Sequence, residues 1–368
     1  MREIEVRVDV LRQNVKVTEL EIVSAPSVQI SASAEIKGTM SGEFRFNSDV
    51  NWLTDELNPI VIIDGVEHSF GIFAPATYEI NYEDRTVHIE AYDRCWNLKT
   101  MTSSRIIHFD AGDNYIDSIV SLLTESGISL VNAYPSDLTF ASDREDWEFG
   151  TDYLTIVNTL LDEISYNALW FNEQGYAVLN PKSELDGEIV RTYDFSDVLS
   201  YAKNVVATVD MFDVPNVYIA ICDNADIGTV WTATAENRNP VSPTSIVRRG
   251  KRITAVVKVD NIASEQELQN YANFLAFRQM LLGESVNVTT GLLEYSGINE
   301  TVALSHPNIS GVCRETGWTA TLQAGGEMSH ILETYSFDMP TVEEVEDDKN
   351  AIAGIAIAGI AIAGRDAA

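Results

Sequence analysis

At 368 residues the chain is long enough for about two to four compact units, and 45% hydrophobic with 22% charged residues is an ordinary globular composition. The balance of charge is not ordinary: Lys plus Arg is 24 and Asp plus Glu 56, a formal net charge of −32. A surface that acidic repels phosphate backbones and anionic lipid, which excludes nucleic-acid or membrane binding through neutralised charge and otherwise reads as solubility or adaptation to salt.

The chain begins with strands. Residues 2–10 and 16–23 alternate polar and apolar positions at period two, 27–37 do so more weakly, and 42–46 form a short alternating piece. Two apolar runs, 60–63 and 66–73, flank Asp64 and Gly65, a pair that predicts a tight hairpin because glycine supplies the positive φ of a primed turn. Residues 78–82 and 86–92 predict a second strand pair around Glu83 and Asp84. The start carries no apolar signal-peptide segment, and no run of 18 apolar residues follows, so no single helix is expected to span a bilayer and the Asn-x-Ser/Thr triplets at Asn287, Asn299 and Asn308 carry no weight as glycan sites.

The period then changes. Asp113 is placed to cap a helix over 114–126, with Ile116, Ile119, Val120 and Leu123 on one face and Gly127 past its end. Thr151 is placed to cap a second helix over 152–165, and 168–171 with 176–179 predict a hairpin directly after it. Strands return from 188 to 258, with 216–222 apolar enough to be buried on both faces. Ser264 and Glu267 have the spacing of a capping box, opening a helix that Gly283 closes near 282. A final strand pair turns through Ala324, Gly325 and Gly326 into 329–337.

The end of the chain is the least ordinary part. An acidic stretch, Glu343, Glu344, Glu346, Asp347 and Asp348, precedes a five-residue repeat over 351–364 whose isoleucines are Ile352, Ile355, Ile357, Ile360 and Ile362. On a helix these would point all round the axis, so the segment needs burial against copies of itself or an apolar partner, unless it is a low-complexity end.

Chemistry is hard to find. None of His68, His88, His108, His306 and His330 has the helical spacing of a metal site, and His330 with Glu333 falls on opposite faces of a strand. Cys95, Cys222 and Cys313 are far apart and odd in number, which fits small core residues assembled in a reducing compartment. No nucleophile elbow, P-loop or dinucleotide fingerprint occurs; Ser41 between Gly38 and Gly42 stands at the wrong position for an elbow. Asp143, Glu145, Asp146 and Glu148 around Trp147 have the look of a sugar or calcium site, but read more simply as a solvated acidic loop with one buried tryptophan. No catalytic residue, metal or cofactor is expected.

Several stretches stand in an order that is similar to a known family. Residues 41–46, 50–57, 63–65, 70–73 and 87–94 with Leu98 follow the N-terminal barrel of tail hub and tail-tip proteins from phages of Gram-positive hosts; 150–181, 215–220, 236–245, 249–252 and 264–282 continue the match. Over roughly residues 1–340 the chain thus resembles phage tail hubs and the related hubs of contractile injection systems, while the repeat at 351–364 and the lack of a following lysozyme or receptor-binding domain depart from the pattern. The resemblance implies a β-rich α+β protein with two small β-barrel tube-type domains: 1–105, an inserted α/β unit at 106–185, a second barrel at 186–340 carrying the capped helix, and a linker with apolar tail at 341–368. It also implies a homotrimeric, non-enzymatic ring in the virion tail, assembled in the host bacterial cytoplasm and joining tail tube to tip. Expected partners are the tail tube or distal tail protein, the tape-measure protein and tail fibre or spike proteins, with DNA passing unbound along an acidic lumen and no stable membrane insertion. The five isoleucines are then a candidate axial plug or tape-measure contact, and the five acids its spacer. A receptor- or carbohydrate-binding tip module and a tail-associated cell-wall hydrolase are the alternatives.

Overall fold

The computed structural model describes residues 2–144, 146–182, 188–195, 204–208, 214–224, 229–240, 242, 244–259, 262, 264–280, 284–306 and 309–334. Its first unit is built from β1 (Ile4–Arg12), β2 (Val15–Leu20), β3 (Ile22–Ser31), β4 (Gly38–Arg45), β5 (Glu56–Ile63), β6 (Val66–Ser69), β7 (Phe73–Asn81) and β8 (Thr86–Asp93). Alternation decides the faces: along β4, Met40 and Phe44 are buried while Thr39, Ser41 and Glu43 are only partly covered. Local turn chemistry decides the hairpins, since Gln13 and Asn14 (φ 53° and 63°) and Asp64 and Gly65 (φ 50° and 84°) all take the left-handed conformation that a two-residue turn between twisted strands requires. The antiparallel pairings run β2-β1-β5-β7-β8-β4-β3, and only Glu21 separates β3 from β2. The Glu21 carbonyl accepts the Arg45 amide at 2.9 Å, so the chain leaves β2 at a bend and begins its pairing with β4 there.

The second unit holds α1 (Cys95–Thr100), α2 (Tyr115–Glu125), β9 (Val131–Ala133), α3 (Tyr153–Glu163), β10 (Trp170–Phe171) and β11 (Ala177–Leu179). Both long helices start one residue later than the sequence predicts. Asn114 caps α2, its side-chain oxygen accepting the amides of Ile116 (2.9 Å) and Asp117 (3.2 Å), while Asp113 turns back to the Asp110 amide. Asp152 caps α3 through the Thr155 amide at 2.8 Å, because the Thr151 hydroxyl donates to the Glu148 carbonyl instead. The expected hairpin β10–β11 forms, and β9 joins it in parallel, making the order β10-β11-β9. Its turn docks on the first unit: Arg94 forks onto both oxygens of Glu56 (2.8 and 2.7 Å), donates to the Gly175 carbonyl at 2.9 Å and bonds Asn14. At Gly175 (φ 78°) a Cβ would stand 2.7 Å from Ile72 Cδ1 and 2.9 Å from Arg94 Nη1, so this contact needs glycine.

The remaining elements are β12 (Arg191–Asp194), β13 (Asn204–Thr208), β14 (Val217–Asn224), β15 (Thr229–Glu236), α4 (Ile246–Arg249), β16 (Thr254–Val259), α5 (Glu265–Met280), β17 (Glu284–Gly291), β18 (Glu300–His306), β19 (Ile309–Thr321) and β20 (Glu327–Thr334). They form two groups. A six-stranded path, β12-β18-β19-β20-β17-β13, encloses Tyr193, Val286, Val288, Val302, Leu304, Cys313 and Leu332. The three-stranded sheet β15-β14-β16 packs one face on α5 through Tyr218, Ala220, Cys222, Leu268 and Ala272. Against expectation, 216–222 is not buried on both faces: Ile219 and Ile221, which point away from α5, are half-exposed because no element covers that side among the described residues. Of the capping box only half forms. Ser264 Oγ accepts the Glu267 amide at 3.1 Å, but the Glu267 carboxylate takes the Asn270 side chain at 3.1 Å instead of reaching back; Gly283 and the predicted last turn lie outside the described residues.

The two β groups form one sheet because β19 belongs to both. Its first half pairs with β18 (Val302↔Cys313), its second half with β3 (Trp318↔Ile30), and β20 runs alongside. The register against β20 shifts between Glu315 and Gly317, a bulge that bends the strand where it changes partners. A Cβ on Gly317 would lie 2.6 Å from the Ile30 carbonyl oxygen, so glycine is what allows the two backbones this close. Around the junction Leu292, Ile298, Trp318, Ala320, Leu322 and Met328 share one core with Val8, Leu57, Phe70 and Ile89. The protein is a β-rich α+β fold.

Candidate functional site: the seam and the assembly surfaces

The bulge in β19 sets a polar cluster into the seam. Glu315 and His330 are both fully buried, with Nδ1 of the imidazole 2.6 Å from Oε1 of the carboxylate. Tyr193 donates its hydroxyl to Glu315 at 3.1 Å, and Ser296 donates to Glu315 Oε2 at 2.7 Å. On the other side of the ring, Nε2 stands 2.9 Å from Thr290 Oγ1, whose own proton goes to the Gly291 carbonyl at 2.7 Å. Both ring nitrogens thus have a partner, Thr290 at Nε2 and Glu315 at Nδ1. Five side chains from β12, β17, β19, β20 and the loop before β18 are thus held by one buried network. All five are buried, so the network is closed off from solvent. Sequence reading placed His330 correctly on a strand, opposite Glu333 and clear of it, but missed Glu315, which lies across the sheet and 15 positions away.

The α/β unit contains a second buried set. Arg144 Nη2 lies 3.0 Å from Glu163 Oε1 and the Tyr115 hydroxyl 3.0 Å from Oε2. Burial pushes the Glu163 carboxyl up to about 7, against the opposing pull of the Arg144 charge, and pushes Asp93, which accepts the amides of Cys95 and Gly38, up to about 6. A carboxyl whose folded pKa is raised stabilises the fold at low pH, where both states hold the proton, and loses that contribution as pH rises through the folded value. For Glu163 the contribution is fully present below about 4.5 and lost through about 7, a span worth roughly 3 kcal/mol. Thermal melts from about pH 5 to about pH 8 are expected to show falling stability, and Glu163→Gln should remove the part of the slope that runs up to about 7 while leaving the Asp93 part, which ends near about 6. An unchanged slope in the variant would contradict this.

Of the acidic loop, Asp143, Asp146 and Glu148 lie among the described residues. Asp143 accepts the Ala111 amide at 3.0 Å, and Trp147 is partly buried against the α/β core, with the Arg144 guanidinium 4.9 Å from its ring centre. His108 is held between Asp146 (2.6 Å) and Asp110 (3.3 Å), which raise its pKa, and borders an open depression of about 390 Å³ lined also by Arg105, Asp117 and Glu125. Arg105 is itself forked onto Glu125 at 2.7 and 3.0 Å, so the charges there satisfy one another. Among the described residues no group of His, Cys, Asp and Glu is arranged to hold a metal, and no helix is long and apolar enough to cross a membrane. Cys95, Cys222 and Cys313 are all buried, as small core residues.

The residues singled out at the end of the chain, Glu343, Glu344, Glu346, Asp347 and Asp348 with Ile352, Ile355, Ile357, Ile360 and Ile362, lie outside the described residues. What the described surface does present is apolar area on the first unit. Leu53 is 86% exposed, Tyr82 81%, and Val15 64%, the last on β2 at the free end of the sheet path.

The fold is similar to that of solved proteins named as phage tail proteins. The tail protein from Neisseria meningitidis MC58 superposes with a TM-score of 0.65 at 12% identity, covering 89% of this chain and 96% of that one. The 43 kDa tail protein of prophage MuSo2 from Shewanella oneidensis gives 0.61 at 11% identity, covering 90% and 98%. An E. coli protein described as a component of the type VI secretion system, with structural similarity to bacteriophage tail proteins, gives 0.51 at 10% identity over 89% of this chain and 77% of that one. No family model and no curated protein matches the sequence.

Proposed function

We propose that this chain is the structural hub of a phage tail or tail-like particle, three copies forming a ring that joins the tail tube to the tip and encloses the DNA channel. The observation that carries the reading is the strand β19, which makes two β groups one sheet. Three such chains present six tube-type β units, the number that lets a threefold ring meet a sixfold tube. The open apolar side chains of the first unit, Leu53, Tyr82 and Val15, supply area for ring contacts. A net charge of −32 suits a wall past which DNA slides without binding. In this reading the division is 1–105 and 186–340 as tube units with 106–185 as decoration, the role is scaffolding without catalysis, and the site of action is the virion tail.

The apolar repeat has a place in the same ring. Its five isoleucines, each able to contribute roughly 1.5–3 kcal/mol if buried, meet at the threefold axis and plug the tube or hold an apolar end of the tape-measure protein. Light scattering of the purified chain, or of its complex with the tube protein, is expected to give three copies; a monomer in both sinks the ring. Deleting 350–368 is expected to give tails that lose DNA, and normal tails that retain it would sink the plug while leaving the hub.

A further inference from the structure

The units of this chain are not all joined in the same way. The first unit and the second β group share a continuous apolar core around Trp318. The helix-backed sheet keeps its own. Tyr218, Ala220, Cys222, Leu268 and Ala272 pack on one another, and among the described residues that core has no member in common with the core of the α/β unit around Ile119, Leu154 and Leu160. Its place in the chain is equally separate. All of β14, β15, α4, β16 and α5 fall between β13 and β17, which pair with each other up to Thr208↔Ser285. Both ends of this insertion therefore leave the second β group at one point, about 5 Å apart, and the path of the chain does not by itself fix how the insertion is oriented.

A contact from the α/β unit does reach it. Lys182, just beyond β11, bonds Asp162 in the last turn of α3, and its ammonium stands 5.5 Å from the ring centre of Tyr271 and 5.6 Å from that of Phe274, both on α5. The two rings are three positions apart and so lie side by side on the helix. The Lys182 side chain is 16% exposed. Burial pushes the Tyr271 hydroxyl up to about 12, with the Asp162 charge adding to it, so the aromatic side of the contact is closed to much of the water. A cation between a carboxylate and two ring faces is attracted by both. Unlike a shared core it holds at one point, and units joined without a large apolar interface are able to move relative to each other.

We propose that the insertion from β14 to α5 is a docked module that turns as one body about its attachment at Thr208 and Ser285, and that Lys182, gripped by Asp162, Tyr271 and Phe274, is the latch that holds it against the α/β unit. Release bares Tyr271 and Phe274 while both units stay folded, because neither loses any of its own core. The latch does not depend on three chains forming a ring.

Double electron–electron resonance on the full chain tests this, with spin labels at Ser121→Cys on α2 and Thr232→Cys on β15. Both positions are exposed, and the three native cysteines are buried. One narrow distance is expected when Lys182 is present. In Lys182→Ala a second, broad component should appear, its ratio to the narrow one raised by roughly 2- to 30-fold, the span of a single cation–aromatic contact. Lys182→Arg, which keeps a cation able to stack on the rings and bond the carboxylate, should restore the narrow distance. Amide exchange along α5 should be the same in all three chains, as it is for a module that moves without melting. An unchanged distribution in Lys182→Ala overturns the latch, as does a broad one with Lys182 in place. So does an Arg variant as broad as the Ala one, or a loss of α5 protection that makes the change local unfolding.

Discussion

Trp318→Ala is expected to cost about 3–5 kcal/mol, the range for removing a large aromatic from a packed core. Trp318 is 1% exposed, and its ring sits edge-on to Phe70 at 5.7 Å and Tyr295 at 5.4 Å, which themselves meet edge-on at 6.4 Å. Its indole N–H donates to the Ser296 carbonyl at 2.7 Å, so the truncation also strands an acceptor. Phe70 belongs to the first unit, Tyr295 and Trp318 to the second β group, and the Tyr295 hydroxyl reaches the Phe171 carbonyl of the α/β unit at 3.4 Å. The loss should therefore appear as separation of the units: urea unfolding of the variant is expected in two steps, with the first midpoint lowered. Trp318→Phe should recover part of the loss by filling most of the cavity. A change below about 1 kcal/mol, or a single unshifted transition, would show that the seam does not close on this ring.

Glu315→Leu is expected to cost a similar amount, about 3–5 kcal/mol, for a different reason. The substitution keeps the volume but leaves His330, Tyr193 and Ser296 with donors aimed at a dry, apolar side chain. His330→Phe alone strips one partner from a buried carboxylate and should also be costly. The double variant, Glu315→Leu with His330→Phe, replaces both members by apolar groups and should cost less than the sum of the two singles. Additive losses would mean that the two residues act separately. If the coupling is present, its measured size is the contribution of the polar network to holding β19 at its bend.

What the sequence determined by itself is what neighbours along the chain decide. Asp64 and Gly65 make their turn wherever they stand, because the conformation is set by two residues; period two along 39–45 chooses a face without knowing what covers it; Gly127 follows α2 at φ 85° because an L side chain resists that position. Even here the caps slipped by one residue, since Asp113 and Asn114, or Thr151 and Asp152, are equally able to accept amides and only the bonds to Asp110 and Glu148 separate them. The order of motifs, read as a resemblance, pointed to the tail-protein fold that the structure has. Other features had no local signal at all. The pairing of β19 with β3 joins residues nearly 290 positions apart, and Glu315 meets His330 only because a bulge turns the strand at that point. Such contacts are selected by the fit of whole sheets and the exclusion of water between them, quantities that belong to no single stretch of sequence, and so the seam that makes one body of two β groups was decided by tertiary structure alone.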